Sequence, residues 1–518
     1  MAKIDVMPAS LLSVCAAVLL AGCGALSHTN IPLEDDRRTS APPPIGLRPD
    51  GQPVRATFKV DGARGNPRVL FFLALSGGGS RAAYLSAATM LRLQSLYEDV
   101  DLLGEVDVIS TVSGGSLPGA YYAVSRDETL RLVGPMSHLR QTLDAGRVSR
   151  KLAVDPASGA LRCADRLTAD EQEKLRNLPG MPSATARVVA EICEQAALTK
   201  LPTWDSAKVR ELMKRNYLLR WFGNWFWPDN IFLYWMTAYD RSDIMAKTLE
   251  DNLYNARPSF RPLRFRDLNP WRPYLLVNST NATEQNFDDS LLPEPYSFGS
   301  VFTFTDDDFQ VRLRSDIQDY EIARAVMASS AFPLVFQNMT LADFRPQFLD
   351  RCRKAPVVDE VLCRNLYLHV FDGGNSDNLG LRSIKRTLFD LALSGQLEER
   401  YDKVIVLLVD AFTRPIGALR TQSDPRGLLS LIADFNVVDA IDSLLQSNRA
   451  KIAGEFKSAE LRWQEGDCDS QSQNLPPDLC RGLDAKFGAA GKLDLRRSMV
   501  FYHFGFDDVR DRELKNKL

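Results

Sequence analysis

Three times along this chain of 518 residues, an apolar run of strand length ends in consecutive glycines and is followed by a helical pattern. Val69–Leu75 (VLFFLAL) leads into Ser76-Gly77-Gly78-Gly79-Ser80-Arg81, Val106–Val112 (VDVISTV) into Ser113-Gly114-Gly115-Ser116, and Tyr367–Phe371 (YLHVF) into Asp372-Gly373-Gly374-Asn375. Uninterrupted apolar runs suit strands covered on both faces, as in a parallel sheet. Tyr274–Ser279 and Val404–Val409 read as further strands, and Ser80–Leu96 and Leu379–Leu393 as helices, the second ending before Gly395. The alternation predicts an α/β fold with a mostly parallel central sheet. Glycine lets the chain turn sharply at a strand end and leaves its amides uncovered.

Each motif admits more than one use. The triple-glycine loop opens a helix, whose positive end suits a phosphate or an oxyanion. No Gly-Lys-Ser/Thr follows it, and Ala82 stands where a dinucleotide loop has its last glycine, so both nucleotide readings are disfavoured. Ser113 sits on a strand-to-helix turn of the kind that presents a nucleophilic hydroxyl, with Gly115 two residues on. Thr111 stands where that elbow has its first glycine, and the stretch also reads as a plain Ser/Gly loop. Asp372 has three possible roles: general base, metal ligand or helix cap. Asp377 is the sole nearby partner for a metal, so that reading ranks last.

A nucleophilic serine needs a base. Of the four histidines, His28 and His138 lie outside the strand pattern, and His503 alone follows Asp372. His503 falls in the alternating run Val500–Phe504, where a structural strand histidine is expected. The glycine-bearing strand ends suggest a Ser113–Asp372 dyad, whose site must raise the carboxyl above the ordinary value of about 4 or hold a very short hydrogen bond. The net charge of −3 excludes a chain built to neutralise nucleic-acid phosphates.

The order GGGSR, then SGGS, then DGG resembles the patatin-like phospholipases. A fourth block, Ala325-Val326-Met327-Ala328-Ser329-Ser330-Ala331-Phe332-Pro333, is similar to that family's A-x-x-A-S-x-A-x-P segment. The likeness covers roughly residues 68–412, with 126–273 poorly matched. It implies a three-layer α/β/α fold and a serine acyl hydrolase, of phospholipase A, lysophospholipase or esterase type, that needs no cofactor or metal. By that resemblance Ser113 is the nucleophile and Asp372 the base. Gly77, Gly78 and Gly79 supply oxyanion amides, while Arg81, Gly115, Gly373 and Gly374 support them. Ser76, Ala82 and Thr111 depart from the family pattern, which has an acidic residue, a glycine and a glycine there. A catalytically silent lipid-binding or scaffolding protein of the same fold is the alternative.

Outside this core, residues 1–22 read as a signal peptide with the apolar stretch Leu11–Leu20, too short to span a bilayer. Leu20-Ala21-Gly22-Cys23 resembles the lipobox of bacterial lipoproteins, which implies a lipid anchor on Cys23 and, with Gly24 following, the outer membrane; a plain secretory signal is the other reading. Pro-rich residues 23–66 are expected to be a flexible tether, about 35 Å long as a coil, ahead of one domain over 67–518 with a mostly helical insertion at about 126–273. Six further cysteines fall into local couples, and an exported chain favours disulfides: Cys163 with Cys193, Cys352 with Cys363, Cys468 with Cys480. A phospholipid or other lipid ester is the expected substrate and the membrane the expected partner, and no protein partner is indicated. Residues 221–239 hold four of the seven tryptophans. They read as a buried helix pair around Pro228 or, on the alternative, as an interfacial surface or lid; the buried pair is the expectation adopted.

Overall fold

A computed structural model describes residues 29–33, 68–97, 101–127, 129–131, 148–154, 160–179, 183–196, 198, 200–254, 261–283, 298–333, 335–344, 366–393, 396–412, 448–457, 499–505 and 508–509. Its elements, in chain order, are β1 (Val69–Leu75), α1 (Gly79–Gln94), β2 (Val108–Val112), α2 (Ser116–Val124), α3 (Tyr217–Trp225), α4 (Pro228–Met236), α5 (Arg241–Leu249), β3 (Tyr274–Asn281), β4 (Val301–Phe304), α6 (Ile322–Ser329), β5 (Met339–Asp343), β6 (Leu366–Asp372), α7 (Leu381–Leu393), β7 (Lys403–Asp410) and β8 (Met499–Gly505).

The eight strands form one sheet in the order β5-β6-β3-β2-β1-β7-β8, with β4 also on β3. The run β3-β2-β1-β7-β8 is parallel. Strand β1 shows why a continuous apolar run was needed. Phe71, Leu73 and Leu75 point into one core with residues of α1, α2, α5 and α6. Leu70, Phe72 and Ala74 point into the other, against α7 and Ile452 and Phe456. Helices thus cover both faces, and the three-layer α/β/α architecture follows.

Strands β4, β5 and β6 run antiparallel to their neighbours, so the sheet is mixed. The register fixes how β6 arrives. Asn278 of β3 pairs with Val112 of β2 on one side and Thr303 of β4 on the other. One residue later, Ser279 pairs with Asp372 of β6 and Phe302 of β4. Strand β4 keeps one edge of β3 throughout, so β2 and β6 share the opposite edge. They run toward each other, and their C-terminal ends meet head-on.

Outside the sheet, the described residues add detail to the insertion and depart from expectation at the tether and the aromatic stretch. Beside its helices, the insertion holds a small antiparallel sheet of Thr129–Arg131, Leu152–Val154 and Ala160–Cys163. It packs with Ala169–Arg176 and Ser183–Ala196 around Leu161, Leu175 and Val189. The Cys163–Cys193 disulfide closes this unit, as its local pairing predicted; the other two couples and Cys23 lie outside the described residues.

The tether is not free along its whole length. Ile31–Pro32 pairs with Ser315–Asp316, and the Asn30 side chain bonds Ser315 Oγ and the backbone of Ala342. Leu33 is buried, which gives this polar stretch one apolar foothold.

The aromatic stretch is a helix pair broken at Pro228, but it is not buried. Trp221 packs against the core and Trp225 partly so, whereas Trp227 and Trp235 are 65% and 76% exposed.

Candidate active site

Residue 113 follows β2 directly and adopts φ +47°, a left-handed conformation that a serine enters at a strain of roughly 1–3 kcal/mol. The surroundings hold it there. Its N–H donates to Ser329 Oγ at 2.8 Å, and Ser329 Oγ donates in turn to the Asn278 carbonyl at 2.5 Å. Ser116 Oγ lies 3.1 Å from the same hydroxyl. Ser329 ends α6, and one buried hydroxyl therefore ties together α6, β3 and the elbow.

Asp372 reaches the elbow from the opposing strand end. Its N–H donates to the Ala331 carbonyl at 3.1 Å, and its own carbonyl accepts from Thr280 Oγ1 at 2.7 Å. Gly373 N–H donates to the Ser329 carbonyl at 3.1 Å. Carboxylate oxygen Oδ1 accepts the Gly374 N–H at 2.7 Å, which turns Oδ2 toward Ser113 Oγ at 3.1 Å. Both residues are almost wholly enclosed, at 9% and 6% exposure. Burial pushes the Asp372 carboxyl up to about 6, against the opposing pull of the Gly374 and Ser113 hydrogen bonds.

The glycine loop flanks this pair. Gly78 (φ +139°) and Gly79 (φ +64°) turn the chain through backbone conformations that glycine favours, and both are exposed at the head of α1. Amides there precede the first intrahelical acceptor and carry the positive end of the helix dipole. Gly77 is a correction to the expected trio. Its N–H already donates to the Asn378 carbonyl at 2.9 Å, so it offers no amide to an oxyanion. Its lack of a side chain matters instead: a Cβ there would lie 3.3 Å from Ser113 Cβ and collide with the Asn378 amide. A Cβ at Gly114 would strike the Gly79 carbonyl, and one at Gly115 would lie 2.6 Å from the Leu75 carbonyl oxygen. The elbow and the loop therefore touch through bare backbone. Arg81 is exposed on the first turn of α1.

The three departures from the family pattern have local explanations. Thr111 Oγ1 donates to the Leu276 carbonyl at 3.0 Å, and its methyl occupies the space left by Gly119 on α2, where a Cβ would collide with it. Ser76 accepts the Ala411 N–H at 2.9 Å and donates to the Gly77 carbonyl at 3.1 Å, which braces the loop on β7. Ala82 is fully buried, and a Cβ at Gly78 would lie 3.3 Å from its own.

The remaining candidates are placed elsewhere. Asp377 accepts the N–H groups of Leu379 and Arg382, at 3.1 and 2.5 Å, and so caps α7. His503 sits on β8 with Nε2 2.8 Å from Asp410 Oδ2. Burial raises the Asp410 carboxyl, but bonds from His503 and Arg449 outweigh it and hold the group below the ordinary aspartate value. Three strand steps separate β8 from β2, about 14 Å at 4.7–4.9 Å per step. His503 thus belongs to a separate ion cluster. Ser329 is the site residue whose role the sequence did not disclose; its signal was its place in the fourth block, which gives no hint of what a hydroxyl there bonds.

The family model described as patatin-like phospholipase matches residues 73–384, more than half of the chain. That span includes Ser113, Asp372, the glycine loop and Ser329. No curated protein matches the chain. Among solved structures, VipD from Legionella pneumophila aligns at 14% identity over 89% of this chain and 64% of its own, with a TM-score of 0.24; this chain thus spans less than two thirds of that protein. On the family model's match, the chain belongs to the patatin-like phospholipase family.

Proposed function

We propose that the protein is a serine acyl hydrolase that cleaves membrane lipid esters with a Ser113–Asp372 dyad. The observation that carries this reading is the 3.1 Å contact from Ser113 Oγ to Asp372 Oδ2 inside an enclosed site. Membership of a phospholipase family supports a lipid ester as substrate.

Ser113 Oγ attacks the ester carbonyl carbon as Asp372 Oδ2 takes its proton. The carbonyl oxygen becomes an oxyanion facing the amides of Gly78 and Gly79, where fixed dipoles stabilise it without reorganisation. Collapse expels the alcohol, which leaves with the proton from Asp372. Water then attacks the acyl-serine, its proton passing to Asp372 and on to Ser113 as the carboxylic acid departs. A carboxyl near 6 is ionised at neutral pH and a far better base than one near 4. Exposed Arg81 faces solvent on the same helix end and suits an anionic head group.

Product analysis with defined phospholipids, comparing the protein with Ser113→Ala, tests this reading. Fatty acid release by the native chain alone is expected, together with covalent labelling of Ser113 by a fluorophosphonate. No release and no label would leave an inert lipid-binding protein. The lipobox-like Leu20–Cys23 supports a lipid anchor on Cys23 and residence at the bacterial outer membrane. A diacylglyceryl mass on the Cys23 peptide of the outer-membrane fraction is the expected result; an unmodified cysteine there would remove the anchor.

A further inference from the structure

We propose that the outward face of α3 and α4 is a bilayer-docking surface, taken up by the headgroup region of an anionic membrane. Leu219 and Phe222 on α3, Phe232 and Trp235 on α4, and Phe226 and Trp227 at the turn between them are all exposed. A contiguous apolar face of this size is uncommon on a soluble surface and marks contact with an apolar medium. Between Trp221 and Tyr239 the single charge is Asp229, and it is paired with Lys247 at 3.2 Å. The face therefore carries one acidic group, and a lysine stands against it.

Three observations select the membrane as occupant. The first is charge. Residues 208–220, which lead into and begin α3, carry five Lys or Arg against one acid, Glu211, itself paired with Arg215. Arg210, Lys214 and Arg220 are exposed beside the aromatic face. Anionic headgroups complement that rim, at about 1 kcal/mol per basic residue near the surface. A second copy would bring like charges together.

The second is length. Each helix has nine residues, about 13 Å, and no described helix is long and apolar enough to cross a membrane. The pair is built to lie in an interface, with Trp and Phe at the depth that amphipathic rings prefer.

The third is continuity. Trp221, on the inner side of α3, packs edge-on against Phe336 with ring centroids 5.1 Å apart. Phe336 belongs to the segment that begins at Ala331, whose carbonyl holds the Asp372 amide, and Val335 of that segment is itself exposed. The same edge of the fold receives the N-terminal strand: Asn30 is fixed to Ala342 of β5, and Ser242 Oγ of α5 donates to the Gln337 carbonyl just before β5. Cys23 stands seven residues before Asn30, a reach of at most about 25 Å. With Cys23 acylated, this edge stays within that distance of the bilayer.

The docking surface goes beyond the hydrolase reading and is tested without it. The full chain carrying Ser113→Ala and Cys23→Ser is the parent, so neither turnover nor an acyl anchor contributes. It is compared with the same chain bearing Trp227→Ser, Phe232→Ser and Trp235→Ser, by co-sedimentation with 3:1 phosphatidylcholine–phosphatidylglycerol vesicles. Brominated lipids in the same vesicles report tryptophan insertion by quenching. We expect the parent to bind and to be quenched, and the triple variant to bind at least about tenfold more weakly, because three large apolar side chains no longer leave water. Vesicles of phosphatidylcholine alone should bind the parent less well. Leu219→Ser with Phe226→Ser changes the same face at other positions and must also weaken binding; a thermal melt confirms that each variant is folded. Equal binding of parent and variants overturns the proposal. So does a parent that ignores vesicles and self-associates through this face, with association lost in the variants.

Discussion

Replacing Asp372 by Asn separates the two consequences of burying a carboxylate. The folded site raises this carboxyl from the ordinary value of 3.8 to about 6, chiefly by desolvation. Two pKa units at 1.36 kcal/mol each correspond to about 3 kcal/mol. The sign follows from proton binding. The folded state holds this proton more tightly than the unfolded chain, so below pH 4 both are protonated and Asp372 costs nothing. As pH rises through 4 to 6 the unfolded chain ionises first, and above 6 the folded protein has lost up to about 3 kcal/mol. Asn never ionises. Its Oδ1 keeps the Gly374 amide and its Nδ2 donates to Ser113 Oγ, so both contacts survive. Denaturant unfolding should therefore find Asp372→Asn more stable than the native chain by up to about 3 kcal/mol at pH 8 and indistinguishable from it near pH 4. Ester turnover should fall by roughly 10²–10⁴, and in the native protein kcat/KM should decline as pH drops through about 6. A variant less stable at pH 8, or a stability difference that ignores pH, would refute the claim that an ionised carboxylate is held there against desolvation.

Ser329→Ala leaves the Ser113 amide and the Asn278 carbonyl without their bonds, at about 1–3 kcal/mol for each buried group. We expect a stability loss of about 2–4 kcal/mol and a fall in kcat and in the fluorophosphonate labelling rate with KM little changed; lowered stability with unchanged labelling would reduce Ser329 to a packing residue. His503→Ala should leave ester kinetics unaltered, since His503 is engaged with Asp410 some three strands from Ser113; a tenfold loss would reinstate a histidine-assisted mechanism.

How legible each part was depended on whether its cause is local. Strands β1 and β7 stand out because the apolar run is unbroken, and β2, β3 and β6 because apolar residues lead into a glycine or small-residue turn or sit at strand length. Val301–Phe304 and Met339–Asp343 do not, since runs of four and five residues beside polar neighbours carry little periodicity. Ser113 and Asp372 were marked by the glycines that surround them. The use of the Gly77 amide was not, because its acceptor, Asn378, is remote in sequence and joins it through the fold. The antiparallel course of β6 was equally hidden, for hydropathy alternation is blind to strand direction. Residues 221–239 were misjudged for a different reason: composition says that the rings must leave water, but only the packing shows that one face has no protein cover.

On the proposed hydrolase reading, the head-on meeting of β2 and β6 explains why a dyad stands where triad hydrolases place an imidazole. In a triad the histidine bridges serine to a carboxylate that stands back from it. Here the carboxylate is carried to within 3.1 Å of the hydroxyl, which leaves no room for a ring between them. The base strength that histidine would supply must then come from the environment. Gly374 and Ser113 both favour the ionised form, so the rise to about 6 is won against them by exclusion of water alone. Each pKa unit lost to added water makes the carboxylate about tenfold harder to protonate. In the proposed mechanism the enclosing wall of α6, Ser329 and the glycine loop is thus part of the base, and a substitution that opens it should weaken proton transfer even where it touches neither oxygen.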